Sequence, residues 1–309
     1  MSVLDLPGLH APNRPFAHIE GGRHSYVMQL TAGRMKWAKL MFPEHRRADA
    51  VALRAQGFKV IVRAPGEGTV YASDVRLMLL EFQGVAEWFE IGNEPATDPD
   101  SLWHHAWFMA YIAGDVLDDC HRAGIKLCTP GWTGNAEPPT RPPDNRRWDE
   151  WPANSRERLA ARVLQVYGGW KSPNRLQLDT PGFDAIGFHA YGLHVLETPQ
   201  IERIKRWAAT FPGMTLLGTE IGIAARDLIA APPSVDRYEA SIAIKAQRYA
   251  NFTERLAQIP QVGAAIFFIA NGATDEWQDS NGHGFTIGAG GWSYYGQALD
   301  IVLKGQRAA

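Results

Sequence analysis

One pattern constrains this chain more than any other. Short apolar runs rich in β-branched and aromatic residues alternate with helix-length segments from one end to the other. The runs predicted as strands are Pro15–Glu20, Met35–Phe42, Lys59–Ala64, Glu87–Ile91, Lys126–Thr129, Phe183–Tyr191, Met214–Ile221 and Val262–Ala270. Helices are predicted at about 24–32, 44–56, 73–83, 101–124, 155–167, 199–210, 236–258 and 294–304. Several strands are nearly continuous in apolar residues, as parallel strands covered on both faces must be. Eight strand–helix units in order predict the α/β class, and within it a (β/α)8 TIM barrel, as a single domain over residues 1–309. An open doubly wound sheet would fit the strand count, but no G-x-G-x-x-G turn follows the first strand.

With 45% hydrophobic and 21% charged residues the chain can fill such a core. Its formal net charge of −2 offers no electrostatic reason for nucleic acid or an anionic membrane as partner. No apolar run nears the roughly 18 residues that span a bilayer. The opening residues lack the charged and apolar regions of a signal peptide, so the expected location is the cytoplasm, or outside by another route. Cys120 and Cys128 are expected as buried free thiols, and no Cys/His spacing fits zinc; no metal and no cofactor is expected. The 11 tryptophans suit a flat, partly apolar ligand such as a sugar ring, and equally suit a well-packed core. No sequence pattern sets an oligomeric state.

The predicted connections 132–154, 222–236 and 271–293 are long, and all follow strands. In a barrel they share the C-terminal face, where barrel enzymes carry their chemistry. Glu94 ends the fourth strand in Phe89-Glu-Ile-Gly-Asn-Glu-Pro95, where proline stops the ladder. Glu220 ends the seventh in Gly218-Thr-Glu-Ile221. Strand ends three apart on an eight-membered ring face each other across the mouth. Two carboxyl groups so placed suit glycosidic bond cleavage, which needs one protonated and one ionised carboxyl flanking the anomeric carbon.

These strings resemble those of the large clan of retaining glycoside hydrolases with (β/α)8 barrels, in which Asn-Glu ends strand 4 and Glu ends strand 7. Phe89–Pro95 is similar to the clan's E-x-x-N-E-P motif. The resemblance implies Glu94 as general acid/base, Glu220 as nucleophile and Asn93 as donor to a sugar 2-hydroxyl. His189 and Tyr191 resemble the clan's strand-6 pair, in which the tyrosine hydroxyl bonds the nucleophile. The expected activity is hydrolysis of O-glycosidic bonds in an oligo- or polysaccharide with retention. Two alternatives stand beside it: a lysin-type hydrolase of amino-sugar glycans, and a non-catalytic carbohydrate-binding barrel.

Further expectations concern the surroundings of the pair. Glu90, four residues before Glu94, points into the barrel and needs a partner, with Arg63 and Lys39 the candidates. Arg63, Glu20, Asn271, Trp132 and Trp277 complete the predicted substrate-contact set, the two tryptophans as aromatic platforms near the mouth. Strand 8 ends Phe268-Ile-Ala-Asn271, without the tryptophan common in the clan. Gly92, Gly187 and Gly218, each two residues before Glu94, His189 and Glu220, are expected to point inward beneath the site.

Overall fold

The structure, a computed structural model, describes residues 6–11, 35–65, 70–94, 116, 118–132, 183–210, 213–222, 247–268, 286–287 and 291–292. Eight parallel strands close into a barrel in chain order: β1 (Pro7–His10), β2 (Trp37–Met41), β3 (Lys59–Arg63), β4 (Trp88–Glu90), β5 (Lys126–Cys128), β6 (Ala185–Ala190), β7 (Thr215–Ile221) and β8 (Val262–Phe267). β1 pairs with both β2 and β8, which closes the ring. A two-stranded antiparallel ribbon, β9 (Thr286–Ile287) with β10 (Gly291–Trp292), follows where a plain loop was expected. No helix among the described residues is long and apolar enough to cross a membrane.

Seven of the eight barrel strands lie where the sequence places them. The first does not. Pro15–Glu20 was expected, and the barrel uses Pro7–His10 instead. Proline, glycine and histidine give that segment little strand propensity, but proline is tolerated at a strand's first residue. Gly8 is required there by packing: a Cβ would lie 2.5 Å from both Trp37 Cβ and Ile266 Cδ1. Residues 15–20, and the helices expected at 24–32, 155–167 and 294–304, lie outside the described residues.

The barrel interior is layered. Trp37, Ile61, Trp88, Cys128, Ala185, Leu217, Ala264 and Ile266 form a separate apolar cluster that plugs the lower half. Two residues further along the same inward faces the character changes abruptly: Trp37 is followed by Lys39, Ile61 by Arg63, Trp88 by Glu90 and Leu217 by Thr219. Alternation carries all of these into one polar layer above the plug. The outward residues, including Leu9, Ala38, Val62, Phe89, Leu127, Ile186 and Phe188, join the main core. That core packs against the helices Arg47–Ala55, Ala72–Phe82 and Leu193–Thr210, and against helical residues 247–257. The third begins at Leu193, six residues before the expected start; Leu193 is fully buried in the core, which fastens a turn ahead of Pro199. Cys120 and Cys128 are free and buried, and burial pushes the Cys120 thiol up to about 12.

β7 departs from regular alternation. Phe188 pairs with Gly218 but His189 pairs with Glu220, so Thr219 is an extra residue on β7. A bulge of this kind sends two successive side chains to one face. Thr219 and Glu220 therefore both reach polar groups inside the barrel. The same shift corrects the expectation that Gly218 points inward. Gly218 faces outward, where a Cβ would meet Phe188 at 2.8 Å. Gly92 sits in a turn at φ 95° beyond the end of β4. Gly187 faces Thr129–Gly131, whose backbone lies 2.6–3.1 Å from the Cβ it lacks.

Candidate active site

The polar layer converges on Glu220. Its Oε1 accepts from Lys39 Nζ at 3.0 Å and Arg63 Nη1 at 2.8 Å, and its Oε2 accepts from the Tyr191 hydroxyl at 2.5 Å. His189 Nδ1 lies 3.5 Å from the same Oε2, and His10 Nε2 lies 3.6 Å from Oε1. Burial alone would raise the pKa of Glu220, but His189, Lys39, His10 and Arg63 outweigh it and hold the carboxyl well below its ordinary range. Glu220 is thereby held as a carboxylate. The Tyr191 hydroxyl, buried beside that charge, is pushed up and remains a donor.

Glu94 has different surroundings. It stands at the mouth with its side chain 38% exposed, and its Oε1 lies 2.7 Å from His189 Nδ1. Its backbone adopts φ 26°, a positive value that is costly for a residue bearing a side chain and is concentrated at functional sites. An oxygen of Glu94, an oxygen of Glu220 and a ring nitrogen of His189 all lie within 4.8 Å of one another. Carboxyl groups about 5–5.5 Å apart suit double displacement, whereas inversion needs about 6.5–9.5 Å to seat a water. The same trio is the one group among the described residues with ligand atoms close enough to hold a metal ion. Lys39 and Arg63 already neutralise Glu220, and their charges oppose a cation there.

Asn93 is nearly buried, and its Oδ1 accepts from the Arg63 Nη1 that also holds Glu220. That bond commits the other end of the amide, an NH2 group, to donation. Arg63 thus ties Asn93 to Glu220 rather than pairing directly with Glu90. Glu90 takes the other candidate: its Oε2 lies 2.7 Å from Lys39 Nζ, and its Oε1 accepts from Thr219 Oγ1 at 2.6 Å. The fully buried pair leaves Glu90 ionised, with its pKa lowered to about 2 against the opposing effect of burial.

Trp132 is not a platform. It is fully buried, bridges to Phe188 and belongs to the main core, so neither ring face is open to a ligand. Glu20, Trp277 and Asn271 lie outside the described residues. Three participants escaped the sequence reading. His10 is one, on the strand that was misplaced. Phe268 is another; it meets His10 and Tyr191 edge-on, with ring centroids 5.0 and 5.9 Å apart. The third is Gly131. A Cβ there would lie 2.0 Å from His189 Cδ2 and 2.1 Å from its Nε2. The imidazole occupies space that any other residue would fill. Gly131→Ala is expected to displace His189 and lower kcat by about 10²-fold, the scale of a misplacement near 1 Å, while circular dichroism shows an intact fold. Steady-state rates close to the parent's would contradict this.

His10 also makes a pH prediction. Its Nδ1 lies 2.5 Å from the carbonyl oxygen of Ala11, so the proton of the neutral ring sits on Nδ1. Burial, followed by the charges of Lys39 and Arg63, lowers its pKa to about 4 despite the pull of Glu220. The unfolded chain binds this proton near pH 6.5 and the folded chain only near 4. Stability therefore falls as pH drops from 6.5 to 4, by up to about 3 kcal/mol from this group. Urea unfolding of His10→Gln is expected to show a flatter loss across that window than the parent; parallel curves would contradict it.

No protein-family model matches this chain, and no characterised protein matches it by sequence. Solved structures do match its fold. A GH128 subgroup II endo-β-1,3-glucanase from Sorangium cellulosum aligns with a TM-score of 0.57 and 15% identity, over 96% of this chain and 97% of that one. The corresponding enzyme from Pseudomonas viridiflava aligns at 0.56 and 14%, over 96% of each chain. Xylanase 10B from Thermotoga petrophila, in complex with xylobiose, aligns at 0.56 and 12%, over 98% and 95%. At these identities the likeness is one of fold.

Proposed function

We propose that this protein is a retaining glycoside hydrolase acting on a polysaccharide, working from a single barrel domain. The observation that carries the reading is the unlike treatment of two facing glutamates at the close separation that double displacement requires. Glu220 is buried, ionised and held on both oxygens, whereas Glu94 is half exposed beside it. Glu94 protonates the leaving glycosidic oxygen while a Glu220 oxygen bonds the anomeric carbon and the glycosidic bond breaks. Glu94 then takes a proton from water as that water's oxygen displaces Glu220. The Asn93 amide, oriented by Arg63, donates to the hydroxyl adjacent to the reacting carbon. Tyr191 keeps Glu220 aligned for attack.

A β-linked glucan or xylan is the substrate class, by analogy with the fold neighbours that act on β-1,3-glucan and xylan. Incubation with laminarin, xylan, chitosan and peptidoglycan tests this. Reducing-end release from laminarin or xylan is expected; release from the amino-sugar polymers alone would overturn the substrate assignment.

A further inference from the structure

Glu90 lies beneath Glu94 and Glu220 and is fully buried. It faces two basic side chains at once. Lys39 Nζ is 2.7 Å from its Oε2 and reaches on to Glu220 at 3.0 Å. His189 Nε2 is 3.6 Å from its Oε1, while the opposite ring nitrogen is 2.7 Å from Glu94 and 3.5 Å from Glu220. His189 is fully buried, and its carbonyl is held by Arg203 at 2.7 Å. Among the described residues its Nε2 has no hydrogen-bond partner within ordinary distance, and Glu90 is its nearest charge on that side.

We propose that Glu90 is a positioning residue that keeps His189 cationic, so that one fixed imidazolium serves both catalytic glutamates in turn. The proposal rests on the reading of Glu94 and Glu220 given above. Before reaction the negative charge is on Glu220. As Glu220 bonds the anomeric carbon it becomes a neutral ester, and Glu94, having given its proton to the leaving oxygen, becomes the carboxylate. The charge thus crosses the mouth from one side of the His189 ring to the other. The Nδ1–H faces both positions, so the cation need not move or titrate. A neutral ring with its proton on Nδ1 would keep the hydrogen bond but lose the charge. The second proton, on Nε2, is the one Glu90 stabilises.

The charged groups facing His189 support a cation. Glu90 and Glu94 from the end of β4 and Glu220 from β7 favour it; Lys39 from β2 opposes it, and Tyr191 on its own strand is a neutral donor. Burial works against the charge, and the carboxylates outweigh burial to hold the His189 pKa above 6.5. Around Glu90 itself stand Lys39, Arg63, His189, Thr219 and the Cys128 thiol.

Glu90→Gln removes the charge and keeps a hydrogen-bonding side chain of the same size. Nitrogen-15 spectra of the imidazole are expected to show His189 protonated on both nitrogens at pH 7 in the parent and on one in Glu90→Gln. The alkaline limb of kcat/KM is expected to move down by about one pH unit or more, the scale of a charge within 4–6 Å. The rate loss is expected to be larger for poor leaving groups than for dinitrophenyl glycosides, because only the former need the charge to move to Glu94. A parent His189 neutral at pH 7 would overturn the proposal even if Glu90→Gln fails to fold. So would an unchanged His189 titration in the folded variant. A cationic His189 in a parent that hydrolyses no polysaccharide would instead overturn the functional reading.

Discussion

Glu220→Ala is expected to abolish turnover, with kcat reduced by at least about 10⁴-fold, the scale of removing a covalent nucleophile. The loss follows from the geometry around the carboxylate. Lys39, Arg63, Tyr191 and His189 are all arranged on its two oxygens, and none of them can form a covalent bond in its place at this site. Removal also leaves the buried Lys39 with the Glu90 carboxylate and, as an acceptor, the Thr219 carbonyl. Added azide or formate, small enough to enter the vacated space, is expected to restore part of the rate and to invert the anomeric configuration of the product. A variant retaining more than a tenth of the parent rate on natural substrate would remove Glu220 from the nucleophile's role.

Glu94→Ala is expected to show a second, more selective deficit. General acid catalysis is worth about 10²–10⁴-fold, and only substrates with poor leaving groups need it in the first step. Hydrolysis of a polysaccharide is therefore expected to fall by that range. A dinitrophenyl glycoside is expected to form the glycosyl-enzyme at nearly the parent rate and then to stall, since Glu94 also serves as the base toward water. A pre-steady-state burst of dinitrophenol would reveal the stall. Equal loss on both substrates, without a burst, would remove Glu94 from the acid role. The exposure of Glu94 fits this double duty, because its oxygen must meet both a leaving group and a water.

Much of this was legible from the chain because barrels translate sequence periodicity directly into depth. In β2, β3 and β4 the switch from Trp37, Ile61 and Trp88 to Lys39, Arg63 and Glu90 at a spacing of two announces a polar layer above an apolar plug. Glu94 and Glu220 were legible because one follows β4 in an Asn-Glu-Pro string and the other lies near the end of β7. What was missed arises where local signals conflict with long-range demands. β1 carries proline and glycine, poor strand formers, yet Gly8 is the residue that Trp37 and Ile266 leave room for. His10 was lost along with that strand. The β7 bulge at Thr219 is set by pairing with β6 and leaves no mark in the alternation of β7 itself. Gly131 follows β5 without a local signal of its role, and only the His189 ring packed against it shows why it lacks a side chain. Trp132 follows β5, a position that suggests a platform, but its side chain is fully buried with the main core.

The groups around Glu220 gather in one polar layer of the barrel. Lys39 occupies β2 and Arg63 occupies β3, and both reach Glu220. Phe268, just after β8, meets Tyr191 and His10 edge-on. The surroundings of Glu220 are thus set by residues of the barrel strands and their ends.

The account turns on a covalent bond to one atom group. Incubation with a 2-deoxy-2-fluoro glycoside of a β-linked glucan or xylan oligomer, carrying a dinitrophenyl leaving group, forms the glycosyl-enzyme faster than it breaks down. Intact-mass spectrometry is expected to show one added glycosyl residue, and peptide mapping to place it on Glu220. An adduct on any other residue, or a protein that hydrolyses its substrate but never accumulates the added mass, would contradict the account.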